Sequence, residues 1–178
     1  MNILTIIDKQ YESGVSLLEY LQSQQQLPFI IEAENNFGKT ILLSAASFFE
    51  KKITDTVIEM AVSFTDNNEL VVSMIKQKVV ARQYHTYFDW DKTNANKFFS
   101  LFGEEFKDKM IKRVKDDPKL DNSIRSFLEI GRERNKMVHE NFAEIVTYKT
   151  ANEIYKLYQD SLYFIEIIKS ELIKVQSE

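Results

Sequence analysis

The segment Arg134-Asn135-Lys136-Met137-Val138-His139 is the part of this sequence best equipped for chemistry. It places one of only two histidines five residues after an arginine and four after an asparagine. Histidine exchanges a proton near neutral pH. Arginine keeps its charge and presents a planar fork matched to phosphate oxygens. Asparagine can orient either partner. RNA cleavage asks for that set: a 2′-OH must lose its proton, a negative phosphorane must be stabilised, and the departing 5′-oxygen must gain a proton. A fixed cation aimed at the developing charge contributes on the order of 3–4 kcal/mol. Arg132, Lys136 and Asn141 flank the set and are candidates for holding the substrate. The competing reading makes His139 a last-turn residue that favours the helix dipole, with Arg134 paired to Glu133 or Glu140.

A five-residue step at 100° per residue sets Arg134 and His139 about 140° apart around an ideal helix. Two arrangements bring them together. The arginine can reach round while the helix frays near His139, or two copies of the segment can meet across a two-fold axis. The second arrangement also supplies a second proton carrier.

Other candidate signals are weaker. Ala33-Glu34-Asn35-Asn36-Phe37-Gly38-Lys39-Thr40 fits a relaxed phosphate-loop pattern, after a Phe29-Ile30-Ile31 run that resembles a strand. A phosphate cradle needs inward-turned amides and little negative charge. This loop has one glycine and carries Glu34, so an asparagine-capped helix start is the better reading. His85 lies among Tyr84, Tyr87, Phe88 and Trp90, aromatics that stack on bases or, more commonly, bury large areas in packing. Asp116, Asp117 and Asp121 lack the glycine and terminal glutamate of a calcium loop and read as helix termination around Pro118.

The elements that must position the motif are helical. Apolar residues recur at three- and four-residue steps over 3–21 (Ile3, Ile7, Tyr11, Val15, Leu18, Leu21) and again over 39–61. Pro28 is expected to stop the first helix. Asp66-x-x-Glu69 resembles a capping box, and the spacing after it favours helix over strand. Thr93 is expected to cap a short helix that runs through Phe102 to Gly103, followed by a basic helix to about Asp117. A motif helix is expected over 121–140. Thr150-x-x-Glu153 opens a long last helix. The expectation is an all-α fold, an up-and-down bundle of four to five long helices with a short helical insertion at 84–117, forming one domain over residues 1–178.

Composition agrees. Four glycines and two prolines in 178 residues are too few for a turn-rich sandwich or barrel. Without cysteine, disulfides, thiol catalysis and zinc–thiolate sites are excluded, and two histidines cannot form a three-histidine metal site. The net charge is −4, yet residues 107–136 hold ten Lys/Arg against six acids, a local +4 that leaves −8 elsewhere. A local excess can steer a polyanion, although a solvated mixed-charge face gives the same pattern. Met1–Ile7 shows no basic leader with a long apolar run. No stretch reaches the roughly 18 apolar residues of a membrane span. A cytoplasmic protein without a membrane partner is expected.

The motif resembles the Arg-x4–6-His signature of HEPN domains, in which a polar residue directly follows the arginine. Arg134, Asn135 and His139 match those positions. Phe127-Leu128-Glu129-Ile130-Gly131-Arg132 and Val138-His139-Glu140-Asn141-Phe142 are similar to the stand-alone bacterial subset called RiboL-PSP-HEPN-like. The helix Lys39–Ala61, with Ser47 and Glu50, resembles an earlier helix of that group. The resemblance runs from about 37 to 175 and is weakest over the first helix and 84–117. It implies a helical bundle that forms a homodimer through its motif helices. It also implies a metal-independent endoribonuclease, with no cofactor, that leaves a 2′,3′-cyclic phosphate on RNA. Toxin–antitoxin and anti-phage systems use such domains, which makes an antitoxin or nucleotidyltransferase an expected partner. Other members keep the fold and only bind a nucleotide, RNA or protein.

Overall fold

Glycine and proline interrupt the chain so rarely that long runs of amides are free to bond four residues back. The structure, a computed structural model, describes residues 4–139 and 149–173. It is all-α, and no strand occurs among the described residues. In chain order the helices are α1 (Ile6–Ser23), α2 (Leu27–Phe64), α3 (Glu69–Ile75), α4 (Tyr84–Tyr87), α5 (Asn96–Ser100), α6 (Glu104–Asp116), α7 (Pro118–His139) and α8 (Ala151–Ile173). A π-helical segment, Lys76–Val80, continues from α3. Five helices are long, between 13 and 38 residues. Among the described residues no helix is long and apolar enough to cross a membrane.

Local hydrogen bonds set most boundaries. Thr5 and Asp8 form a capping box at α1: the Asp8 amide donates to Thr5 Oγ1 (3.2 Å) and the Thr5 amide to Asp8 Oδ2 (2.7 Å). The expected box at α8 is also present, with the Thr150 amide donating to Glu153 Oε2 (2.8 Å) and the Glu153 amide to Thr150 Oγ1 (3.2 Å).

Five expectations are corrected. Pro28 does not end the first helix. α1 stops at Ser23, and Pro28 lies in the opening turn of α2, where its missing N–H costs nothing. α2 then runs unbroken through 33–40, so that segment is neither a phosphate loop nor an asparagine-capped start. Its amides sit inside a helix, where they bond to carbonyls rather than face a ligand. The cap of α3 is Asn68 rather than Asp66, since the Val71 amide donates to Asn68 Oδ1 (3.3 Å). Thr93 caps nothing: α5 begins at Asn96, and Gly103, at φ 97°, precedes α6 instead of ending a longer helix. α7 likewise begins at Pro118, three residues earlier than expected, with the Leu120 amide donating to Asp117 Oδ1 (3.1 Å).

The chain divides into two compact units: Met1–Ser47 with Ile130–Gln159, and Phe48–Glu129 with Asp160–Glu178. The core of the second unit is aromatic. Phe127 packs 5.5 Å from Phe49, 4.9 Å from Phe88 and 5.1 Å from Phe164, centroid to centroid. Each such pair adds about 0.5–1.5 kcal/mol beyond the area it buries. Tyr87 and Phe88 are buried in this core, and Trp90 Nε1 donates to the His85 carbonyl (2.9 Å). The aromatic run at 84–90 is therefore packing. Glu171, nearly buried, pairs with Lys109 (2.7 Å) and with Arg113. Asp117 also accepts from Tyr163 Oη (2.8 Å), and that bond holds its carboxyl below the ordinary carboxylate range.

In the first unit, α1, the start of α2 and the start of α8 meet through tyrosines. Tyr11 stacks on Tyr155 at 3.8 Å and donates to Asn152 Oδ1 (3.0 Å). Tyr155 Oη donates to Asp8 Oδ1 (2.9 Å). Desolvation, helped by that carboxylate, pushes the Tyr155 phenol up to about 12. The Phe37 ring covers Gly14, where there is no room for a Cβ. Ile7, Ile41, Leu42, Ala45, Ile130, Met137, Ile154 and Tyr158 are buried.

Candidate functional site

The last two turns of α7 belong to the first unit and carry the motif. Ile130 and Met137 are 1% and 4% exposed. Two helical turns separate them, so they mark the buried stripe of this stretch. Arg134 lies four residues after the first and three before the second, which puts a guanidinium on that same stripe. It is half-buried. Its Nη1 donates to Asn135 Oδ1 at 3.2 Å.

Among the described residues Arg134 has an amide partner and no carboxylate, and Glu133 is turned to other cations. Lys136 Nζ approaches Glu133 Oε1 at 2.9 Å and Arg132 Nε approaches it at 3.9 Å. The carboxylate is engaged by the flanking cations, and among the described residues none pairs with Arg134. The Arg134–Glu133 pair entertained above does not form. Sequence reasoning passed over Glu133 as a component of the site, although its three-residue spacing to Lys136 was available as a signal.

The structure brings Arg134 and Asn135 together. Arg132 and Lys136 are turned instead to Glu133 on the more exposed side of the helix. α7 runs without a break to His139, the last described residue before 149. The His139 backbone therefore sits about 140° round from Arg134. The His139 side chain and Asn141 lie outside the described residues, as does Glu140. Val138, beside His139, is 55% exposed. Among the described residues no group of three or more His, Cys, Asp or Glu side chains is placed to hold a metal ion.

The arrangement can hold an anion. A half-buried guanidinium without a carboxylate partner among the described residues retains donors for phosphate oxygens, and it is less screened there than at a free surface. The neighbouring amide fixes one edge of the fork and leaves the rest open.

A model of the family described as RiboL-PSP-HEPN matches residues 9–174. The match takes in α1 and the 84–117 region, where the resemblance in sequence was weakest, and runs through residues of both units. No curated protein matches the chain, and no solved structure does.

Proposed function

The chain belongs to the RiboL-PSP-HEPN family, and from that premise we propose that it is an endoribonuclease acting as one HEPN domain and as a homodimer. The observation that carries the reading is Arg134: a guanidinium on a buried helix stripe, bonded to Asn135 and with no carboxylate partner among the described residues. A charged group in such a position is costly unless something compensates it. A phosphate would.

In this mechanism the 2′-OH gives its proton to a base and its oxygen attacks the adjacent phosphorus. The P–O5′ bond breaks, the 5′-oxygen takes a proton, and a 2′,3′-cyclic phosphate remains. Arg134 clamps the phosphorane charge, Asn135 orients the guanidinium, and His139 carries a proton. The reaction needs no metal, since in the dimer Arg134 supplies the cation and the two copies of His139 supply the two proton carriers. On one helix, positions 134 and 139 lie about 140° apart. Two copies packed by their motif helices bring one subunit's arginine to the other's histidine. Arg132, Lys136 and Asn141 serve as backbone contacts, with Glu133 yielding the first two to substrate. A toxin or anti-phage effector, restrained by an antitoxin or a nucleotidyltransferase in the cytoplasm, is the setting this chemistry suits.

The test is cleavage of RNA in EDTA by the wild type, Arg134→Ala and His139→Ala, with product ends analysed for cyclic phosphate. Each variant should lose at least about a hundredfold in rate. A wild type that binds RNA without cutting it makes the chain a binding module. A His139→Ala protein that cuts as well as wild type removes the histidine from the mechanism.

A further inference from the structure

The first unit holds a groove of about 800 Å³ that the motif does not use. Tyr11, Val15 and Leu18 of α1 and Ile31 and Phe37 of α2 supply its apolar surface. Glu32 and Glu34, both exposed, also line it, as does Lys149. The same stretch of chain leaves Leu17, Tyr20, Leu27 and Ile31 between 53% and 73% exposed. Residues 1–38 carry five acids and a single lysine. Packing this face against its own copy would oppose like carboxylates. The occupant that fits has apolar side chains to bury and cations to meet the glutamates.

The second unit presents that chemistry. No acid occurs between Glu69 and Asp89, while Lys76, Lys78 and Arg82 are exposed. Leu70 and Met74 lie one turn apart on α3, 83% and 59% exposed, so they share a face. Val79 in the π-helical segment is 41% exposed. Tyr87 Oη donates to the Val79 carbonyl at 2.7 Å, which ties the segment to α4 and builds this ridge into the fold.

We propose that the α3–π ridge of one copy docks in the α1–α2 groove of a second copy. Leu70 and Met74 enter the apolar groove, and Lys76 and Lys78 face Glu32 and Glu34. Ridge and groove are different surfaces, so each copy offers one of each to its neighbours. It uses no residue of 132–139 and is independent of the motif-helix dimer.

Light scattering on the full chain over a concentration series tests this. The ridge variant is Leu70→Asp/Met74→Asp and the groove variant is Glu32→Lys/Glu34→Lys, all at exposed positions. Helicity by circular dichroism checks that each folds. A chain bearing both sets defines the baseline mass, whether that is a monomer or a motif-helix dimer, so the failure of the ribonuclease reading leaves this test intact. Wild type should exceed the baseline, and each single-surface variant should associate at least about tenfold more weakly. An equimolar mixture of the two variants should recover association, because one retains the groove and the other the ridge. Adding Lys76→Glu/Lys78→Glu to the groove variant should also recover it. A wild type that stays at the baseline mass, or a mixture that does not associate, overturns the proposal.

Discussion

Replacing Gly14 with alanine sets two known effects against each other at one atom. Gly14 lies inside α1, where alanine is favoured over glycine by about 0.8–1 kcal/mol. An added Cβ would overlap the Phe37 ring, with Cδ2 at 2.6 Å and two ring carbons closer still. Overpacking of this kind costs about 1–3 kcal/mol. The ring can swing aside only by giving up its stack on Tyr11, 5.8 Å away, and aromatic pairs contribute about 0.5–1.5 kcal/mol. The clash wins, and the net effect is a loss of about 1–2 kcal/mol. For a chain of this size that lowers the thermal midpoint by roughly 3–6 °C. Circular dichroism melts of wild type and Gly14→Ala measure it. Gly14→Ala/Phe37→Leu should recover most of the loss, because leucine has no ring to collide with. An unchanged or raised midpoint in Gly14→Ala would refute the reasoning, since it would mean that the ring relocates freely and helix propensity decides the outcome.

Thr150→Ala removes one side of the capping box at α8 and should cost about 1 kcal/mol, read as a lower melting midpoint that Thr150→Ser largely restores. Asp117 titrates below its ordinary range because Tyr163 and the Leu120 amide bond its ionised form. Its contribution to stability is therefore complete above the ordinary carboxylate range and is lost as pH falls through the lowered value. Carboxyl NMR should show the Asp117 titration move upward in Tyr163→Phe, and an unmoved titration would break the assignment. Arg134→Lys keeps the charge but loses the fork, so RNA cleavage should fall toward the alanine variant rather than stay near wild type. Full activity in the lysine variant would reduce Arg134 to a point charge.

Much of the fold is legible from local rules. The three- and four-residue spacing identifies the long helices, and the Thr150 box fixes the start of α8, because periodicity and capping involve neighbours in the chain. The motif's position on a helix is legible for the same reason. Proline illustrates the limit of such rules: Pro28 and Pro118 look like helix breakers in sequence and stand in opening turns in the structure. The residue type permits both roles, and what decides is whether the preceding turn has already closed. The asparagines and glycine at 35–38 favour a break, yet α2 passes through them. Gly38, Lys39, Ile41 and Leu42 are buried there, and that burial outweighs weak local preference.

What the sequence determined by itself is the set of groups available for chemistry and the angle between Arg134 and His139 on one helix, since both follow from residue identity and helical pitch. Only the tertiary structure decided that Arg134 lies on the buried stripe. The same holds for Tyr11 meeting Tyr155 and Asn152 from the other end of the chain. Those facts depend on which face of each helix finds a partner. Packing between segments far apart in sequence settles that, and a helical repeat carries no record of it.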